Sequence, residues 1–296
     1  MEVVIAGAGS IGLLIGSYLA EAGWGVTFFV RREEQAILLR NQGIRRVDGQ
    51  GTEMVFNVNA ETDIGMLPAT APWIVAVKFG GVASILELVN GRNISNPMMF
   101  LQNGIGHFNM VSETELPHLF FASVEHGAGR LDDRTVSHNG VGLLKVAPFR
   151  GDERAFDQLT LAHSAAFPVE FVIGARELVL RKVLINCMIN PLTAILQLKN
   201  GELLENTYAK MLFDELFNEI IGAFPEMQDH LSKEAVEDIC RKTALNRSSM
   251  LKDRQEGNPM EIETIVSAVI GMAERRGSAL PLLKMLEKML LVLDGR

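Results

Sequence analysis

Lys182, Asn186 and Asn190 stand at four-residue intervals in the stretch RKVLINCMINPLTAILQLKNGE, residues 181–202. Side chains at i and i+4 stack on one face of a helix, so a cation and two amides look the same way. Leu184, Ile185, Met188 and Ile189 fill the flanks. Lysine is seldom buried without a partner, and an amide inside an apolar helix must hydrogen-bond to something. A neighbouring helix meets that demand, and so does a polar ligand. An ammonium so placed can stabilise charge on an oxygen and give it a proton.

A second constellation opens the chain. Gly7-Ala8-Gly9-Ser10-Ile11-Gly12 follows the β-branched run 2–6 and precedes a helical stretch, 13–22. This is GxGxxG between a strand and a helix, the context that a dinucleotide phosphate site requires. Gly7 permits the tight turn, Gly9 lets backbone approach a pyrophosphate, and Gly12 allows close packing of helix on strand. Main-chain N–H groups at the helix start then receive the phosphates, although a purely structural turn has the same letters.

The next strand, 25–30, ends in Val30-Arg31-Arg32 and is followed by Glu33-Glu34. A site for NAD usually places a carboxylate there for the ribose hydroxyls. Arginine instead suits a 2′-phosphate through charge-assisted bonds, so NADP(H) is expected, held by Arg31 with Arg32 beside it as a second candidate. Two solvated residues at a helix start, with Glu33 close by, are the competing reading. Lys78 closes the strand 73–77 and is either a phosphate or ribose contact or a surface lysine. Asn103, after the strand 98–101, either reaches a nicotinamide ribose or substrate oxygen or makes a turn before Gly104.

The elements that carry these residues change character along the chain. Residues 1–174 alternate apolar strands with helices, including a hairpin signal at Asp48-Gly49-Gln50-Gly51 between 44–47 and 53–58. Helical patterns are expected at 80–89 and 152–166, and strands at 119–124, 142–146 and 168–173. Residues 175–296 read as all-helical, with Pro191 expected to end or kink the first helix. Further helices are expected at 203–224, 231–242 and 261–275. The expected fold is therefore α/β: a Rossmann-like dinucleotide-binding domain, 1–174, followed by an all-helical substrate domain, 175–296. Glu261 sits in the first turn of its helix, where its charge also suits the helix dipole.

Composition narrows the function classes. The 296 residues carry a formal net charge of -8 and no long basic run, which argues against nucleic acid as the main partner. The two cysteines, Cys187 and Cys240, support neither a disulfide framework nor a metal site, and the histidines share no metal spacing. With no basic leader and no apolar run of about 18 residues, neither a signal peptide nor a membrane span is expected. A cytoplasmic protein is the expectation. The helical half offers a face for a homodimer, although an apolar stripe is more often core than interface.

Over essentially its full length the chain resembles the ketopantoate reductase (2-dehydropantoate 2-reductase) family. The resemblance is carried by GAGSIG, Asn103-Gly104, KVLINCMINPLTA from Lys182, Asn200-Gly201-Glu202, NRSSML from Asn246, and Glu261. It implies NADPH-dependent reduction of a 2-oxo acid, ketopantoate, to (R)-pantoate. It implies Lys182 as the catalytic lysine and Glu261 as the active-site glutamate, with Asn186, Asn190, Asn200, Asn246 and Ser249 around the substrate. Arg31 and Lys78 match cofactor-phosphate contacts, and Asn103 and Glu261 line the site shared by cofactor and substrate. Phe79-Gly80-Gly81 departs from the family's usual short side chain, aromatic and glutamine. Another 2-oxo acid, or a nicotinamide-binding paralogue without turnover, is the alternative.

Overall fold

A computed structural model describes residues 1–92 and 94–295 of the chain. It contains two compact units: residues 1–102 with 110–178, and residues 103–109 with the chain from 179 onward. The short excursion at 103–109, which the sequence pattern assigns to the first part, belongs with the helical unit. Its anchor is local and steric. Ile105 N donates to Thr264 O at 3.3 Å, and a Cβ on Gly104 would lie 2.2 Å from that same oxygen.

The first unit is built from β1 (Glu2–Ala6), β2 (Gly25–Phe29), β3 (Ile44–Val47), β4 (Glu53–Phe56), β5 (Asn59–Glu61), β6 (Trp73–Val75), β7 (Met98–Phe100), β8 (Leu119–Val124), β9 (Gly127–Arg130), β10 (Thr135–Gly140), β11 (Leu144–Arg150) and β12 (Val169–Phe171). Eight of them form one sheet in the order β12-β11-β8-β7-β6-β1-β2-β5, and the others a second sheet, β4-β3-β10-β9. In the large sheet β8 and β11 are antiparallel and the remaining pairs parallel. This is the mixed, Rossmann-like arrangement expected of apolar runs alternating with helices.

The helix Ser10–Glu21 lies against strands of both sheets, and residues 12–19 are all buried. Its polar side chains are therefore satisfied inside the unit. Tyr18 hydroxyl meets His138 Nδ1 at 2.8 Å, and His138 Nε2 meets His126 Nδ1 at 3.0 Å. Gly142 N–H also donates to His126 Nδ1, at 3.2 Å. That nitrogen is thus the acceptor, which makes His138 Nε2 a donor and leaves its Nδ1 to accept from Tyr18. Phe167 stacks on both Tyr18 and His126.

The second unit is helical, and here several expectations are corrected. The helix Ala175–Leu196 continues past Pro191. Proline removes one N–H from the ladder, but the helix ends only at Gln197, which takes φ +57° while Leu198 N–H closes on Thr193 O at 3.2 Å, a Schellman stop. The expected helix 203–224 is two, Glu202–Glu205 and Thr207–Ala223, because Asn206 caps the second by accepting from the N–H groups of Tyr208 and Ala209. The segment 261–275 begins as a π-helical turn, Glu263–Ser267, before Ala268–Arg275. In the first unit, 152–166 is not an α-helix. Asp157–Ala162 winds as a 3₁₀ turn, and its buried Leu159 and Ala162, with the preceding Phe156, recur every third residue. By length and composition alone Ala175–Leu196 is also long and apolar enough to cross a membrane, and most of it is buried inside the fold.

Burial, then the neighbouring His138, pushes the His126 imidazole down to about 4. Its folded value lies below the unfolded one, so the stability it contributes is present above about pH 6.5 and lost as pH falls through about 4. Unfolding of the wild type should therefore take up about one more proton across that window than unfolding of His126→Asn. Parallel stability–pH slopes for the two proteins in denaturant titrations would refute this.

Candidate functional site

The glycine turn is fixed by contacts that exclude side chains. Gly7 has φ +105°, and a Cβ there would meet Val77 at 3.0 Å; a Cβ on Gly12 would lie 2.0 Å from Gly7 O. Gly9 differs: the position of its Cβ has nothing within 4 Å. It is the N-cap of Ser10–Glu21, and no side chain caps that helix start. Ala8 is buried, while Ser10 and Ile11 are half-buried. Uncapped N–H groups beside open space are what an anionic phosphate needs, so this stretch fits a dinucleotide.

The two arginines after β2 have separate environments. Arg32 pairs with Asp133 at 2.5 Å, and Arg130 shares that carboxylate. Arg31 is exposed and makes no ion pair or hydrogen bond among the described residues. Glu33 is engaged as well, accepting from Arg40 at 2.6 Å and Thr62 at 2.7 Å. The Thr62 hydroxyl first, then Arg40, hold its carboxyl below the usual range. Lys78 is exposed and precedes a single 3₁₀ turn, Phe79–Gly81, with its carbonyl accepting from Gly81 N at 2.8 Å. The atypical FGG stretch is thus an orderly entry into the helix Val82–Gly91.

In the helical unit, Lys182 and Asn186 are half-buried and Asn190 is buried, on the same helix at the expected spacing. Asn190 Nδ2 approaches Ser249 Oγ at 3.4 Å, and Ser249 and Asn246 are exposed. Asn103 Nδ2 approaches Glu261 Oε2 at the same distance, both residues being half-buried. These are long contacts for hydrogen bonds. Asn200 stands apart. It is 8% exposed, and its Nδ2 donates to Thr243 Oγ1 at 2.9 Å while its N–H donates to Asn246 O at 3.0 Å. Its side chain fastens the segment 243–246, which carries Asn246.

Three residues that the sequence pattern did not single out hold this constellation. Ser248 caps the helix Ser249–Glu256 by accepting from Leu251 N, and lies 2.7 Å from Thr193 Oγ1. Thr193 Oγ1 in turn reaches Ile189 O and Asn190 O at 2.9 and 3.0 Å. Arg254, near the other end of that short helix, donates to Ala194 O and Ile195 O. The helix bearing Ser249 is therefore tied at both ends to the helix bearing Lys182. Serine before a helix start was the available signal; the partners, some 55 residues away, had none. Cys187, fully buried with its thiol pushed up by that burial, donates to Ile265 O of the π-helical turn at 3.3 Å. Among the described residues no group of three metal-binding side chains occurs.

Thr193→Val should lose about 1–2 kcal/mol of stability by stranding the buried Ser248 hydroxyl, and Ser248→Ala about 1 kcal/mol by removing the cap. The double variant should lose less than the sum, since each partner matters through the other. Additive losses in urea unfolding would show that the hydroxyls are not coupled.

Residues 3–151 match the family described as Ketopantoate reductase PanE/ApbA, and residues 175–293 match Ketopantoate reductase PanE/ApbA C terminal. The 2-dehydropantoate 2-reductase of Listeria innocua is 35% identical, covering 100% of this chain and 97% of its own. That of Bacillus subtilis is 35% identical, covering 94% and 92%. The crystal structure of the probable 2-dehydropantoate 2-reductase panE from Bacillus subtilis superposes with a TM-score of 0.88 at 31% identity, over 99% of this chain and 100% of that one. D-mandelate dehydrogenase, in a ternary structure with NADH and anilino(oxo)acetate, shares the fold at a TM-score of 0.83 and 19% identity. With both of its parts matched and relatives alike from end to end, the chain belongs to the ketopantoate reductase family of oxidoreductases, which bind a nicotinamide dinucleotide.

Proposed function

We propose that the protein reduces 2-dehydropantoate (ketopantoate) to (R)-pantoate with NADPH, in the cytoplasm, as a step of pantothenate synthesis. The observation that carries this reading is the polar set of the helical unit. Lys182, Asn186 and Asn190 share one helix face, Asn190 meets Ser249, and Asn103 meets Glu261, in a chain matched end to end by 2-dehydropantoate 2-reductases.

In this reading Lys182 Nζ donates a hydrogen bond to the 2-oxo oxygen and then gives it the proton, as negative charge develops there. Glu261 orients that ammonium or accepts from a substrate hydroxyl. Ser249 Oγ accepts from Asn190, so its own hydrogen is free to turn towards the substrate carboxylate. Asn186 and Asn246 supply further amide donors. Asn200, buried and bonded to Thr243, acts through the position of Asn246. The nicotinamide, when bound, supplies the hydride. Residues 7–12 would receive its pyrophosphate, Arg31 its 2′-phosphate, and Lys78 a further phosphate or ribose oxygen. NADPH is favoured over NADH because Arg31 is unengaged while Glu33, the nearest carboxylate that could bind ribose hydroxyls, is held by Arg40 and Thr62.

The fold shared with D-mandelate dehydrogenase makes aromatic 2-oxo acids the first alternatives to test. Oxidation of NADPH should be fast and saturable with ketopantoate and slow with pyruvate, 2-oxoisovalerate or phenylglyoxylate; preference for one of the latter would reassign the substrate. Lys182→Ala should lower turnover by about 10²–10⁴-fold with a smaller effect on substrate saturation. Turnover near that of the wild type would remove Lys182 as the proton donor. Arg31→Ala should raise the Michaelis constant for NADPH and leave that for NADH nearly unchanged, whereas Arg32→Ala should change neither by much. Equal effects of Arg31→Ala on both cofactors would take Arg31 out of the phosphate site.

A further inference from the structure

Gln35 lies in the first turn of the helix Glu33–Gln42, yet it is only 6% exposed. Its Nε2 donates to Ala8 O at 3.2 Å and to Asp133 O at 2.8 Å. A side-chain amide nitrogen has two hydrogens, and both are thereby used. One partner belongs to the glycine turn. The other belongs to the β9–β10 turn, whose Asp133 carboxylate holds Arg32 and Arg130.

The bond to Ala8 O has a consequence for its neighbour. Ala8 C=O and Gly9 N–H belong to one planar trans peptide and point in opposite directions across it. Holding the oxygen therefore fixes the direction of the N–H. Gly9 is the residue of the turn whose Cβ position is open, and it begins a helix that no side chain caps. We propose that Gln35 is a positioning residue for the dinucleotide: by fastening Ala8 O it aims Gly9 N–H at the pyrophosphate. Arg31 acts on the 2′-phosphate alone, whereas Gln35 acts on the part that every nicotinamide dinucleotide shares. An isosteric apolar side chain cannot donate to Ala8 O, and a carboxylate would face two carbonyl oxygens without a hydrogen to offer.

The proposal rests on the glycine turn being a dinucleotide phosphate site, and on neither the oxo acid nor the 2′-phosphate. The test is a fluorescence titration of the full chain with NADPH and NADH, and with adenosine 2′-monophosphate as a competitor that lacks the pyrophosphate. Gln35→Met should weaken NADPH and NADH alike, by roughly tenfold, the size expected for one well-placed hydrogen bond. Adenosine 2′-monophosphate should bind as it does to the wild type. If Gln35→Met does not fold, Gln35→Glu carries the test with the same expected pattern. Unchanged NADH affinity overturns the proposal. So does a parallel loss of adenosine 2′-monophosphate, which would mean that the variant merely loosens the unit. A wild type that binds both dinucleotides but not the monophosphate removes Arg31 from its assigned role, and Gln35 is then judged on NADH. A wild type that binds neither dinucleotide overturns the phosphate site and Gln35 with it.

Discussion

The first unit depends on one helix that has no free face. Ser10–Glu21 is covered by strands of two sheets, and such a helix must either be apolar all round or find partners for each polar group. Both solutions are used. Leu13, Leu14, Ile15 and Leu19 are fully buried, while Ser17 and Tyr18 face Arg46, whose guanidinium lies 3.7 Å over the Tyr18 ring and 3.3 Å from Ser17 Oγ. Arg46 is itself 2% exposed and is neutralised by Glu21 of the same helix at 2.7 Å. A buried cation that loses its partner is strongly destabilising, so the charge adds a directional tie to the apolar packing. The consequence reaches the helix start. The N–H groups of the glycine turn are presented by an element held against strands of both sheets.

The helical unit solves a different problem with smaller groups. Its polar constellation sits on helices joined by long stretches of chain, and apolar packing alone specifies volume better than register. Register comes instead from directional bonds between neighbours: Thr193 with Ser248, Arg254 with the last carbonyls of the Lys182 helix, and Cys187 with Ile265 in the π-helical turn. Each lies one or two turns from a residue assigned to the site. The π-helical turn belongs to the same economy of structure. It begins two residues after Glu261, and the Thr264 carbonyl within it receives the Ile105 N–H. Irregular turns of this type are frequent where function requires a carbonyl or side chain out of the normal helical ladder.

Much of the fold was legible in the sequence where one local signal dominated. The central strands β1, β6 and β7 are largely apolar runs, and β1, β3 and β8 have the bounds read from the pattern. The hairpin at Asp48 was readable because the aspartate side chain itself accepts from the N–H groups of Gln50 and Thr52. The errors have a common cause. Asn206 breaks a helix that apolar spacing would run through, because a cap can outweigh propensity over a single turn. Pro191 fails to break one, because a packed helix of 22 residues tolerates the loss of one bond. The strands β5, β9 and β10 take their identity from pairing: β10 is defined by β3 and β9, and carries two buried polar residues, Thr135 and His138, that no alternation of apolar residues would flag.

The candidate site was legible as residue types but not as partnerships. Spacing put Lys182, Asn186 and Asn190 on one helix face, and the two arginines after β2 suggested a phosphate. Which arginine is available is decided by Asp133, 101 residues away, and whether Glu33 competes is decided by Thr62 and Arg40. Asn200 matches a substrate position, and its Nδ2 is held by Thr243. In each case the side chain named by a motif is qualified by a second residue that no motif contains. The physical reason is that an unpaired polar group near a protein interior is too costly to leave, so the groups still available for ligands are those whose competing partners have been drawn elsewhere. Arg31 beside an engaged Arg32 and an engaged Glu33 is the clearest instance. The proposed 2′-phosphate contact rests as much on the occupation of those neighbours as on the charge of Arg31 itself.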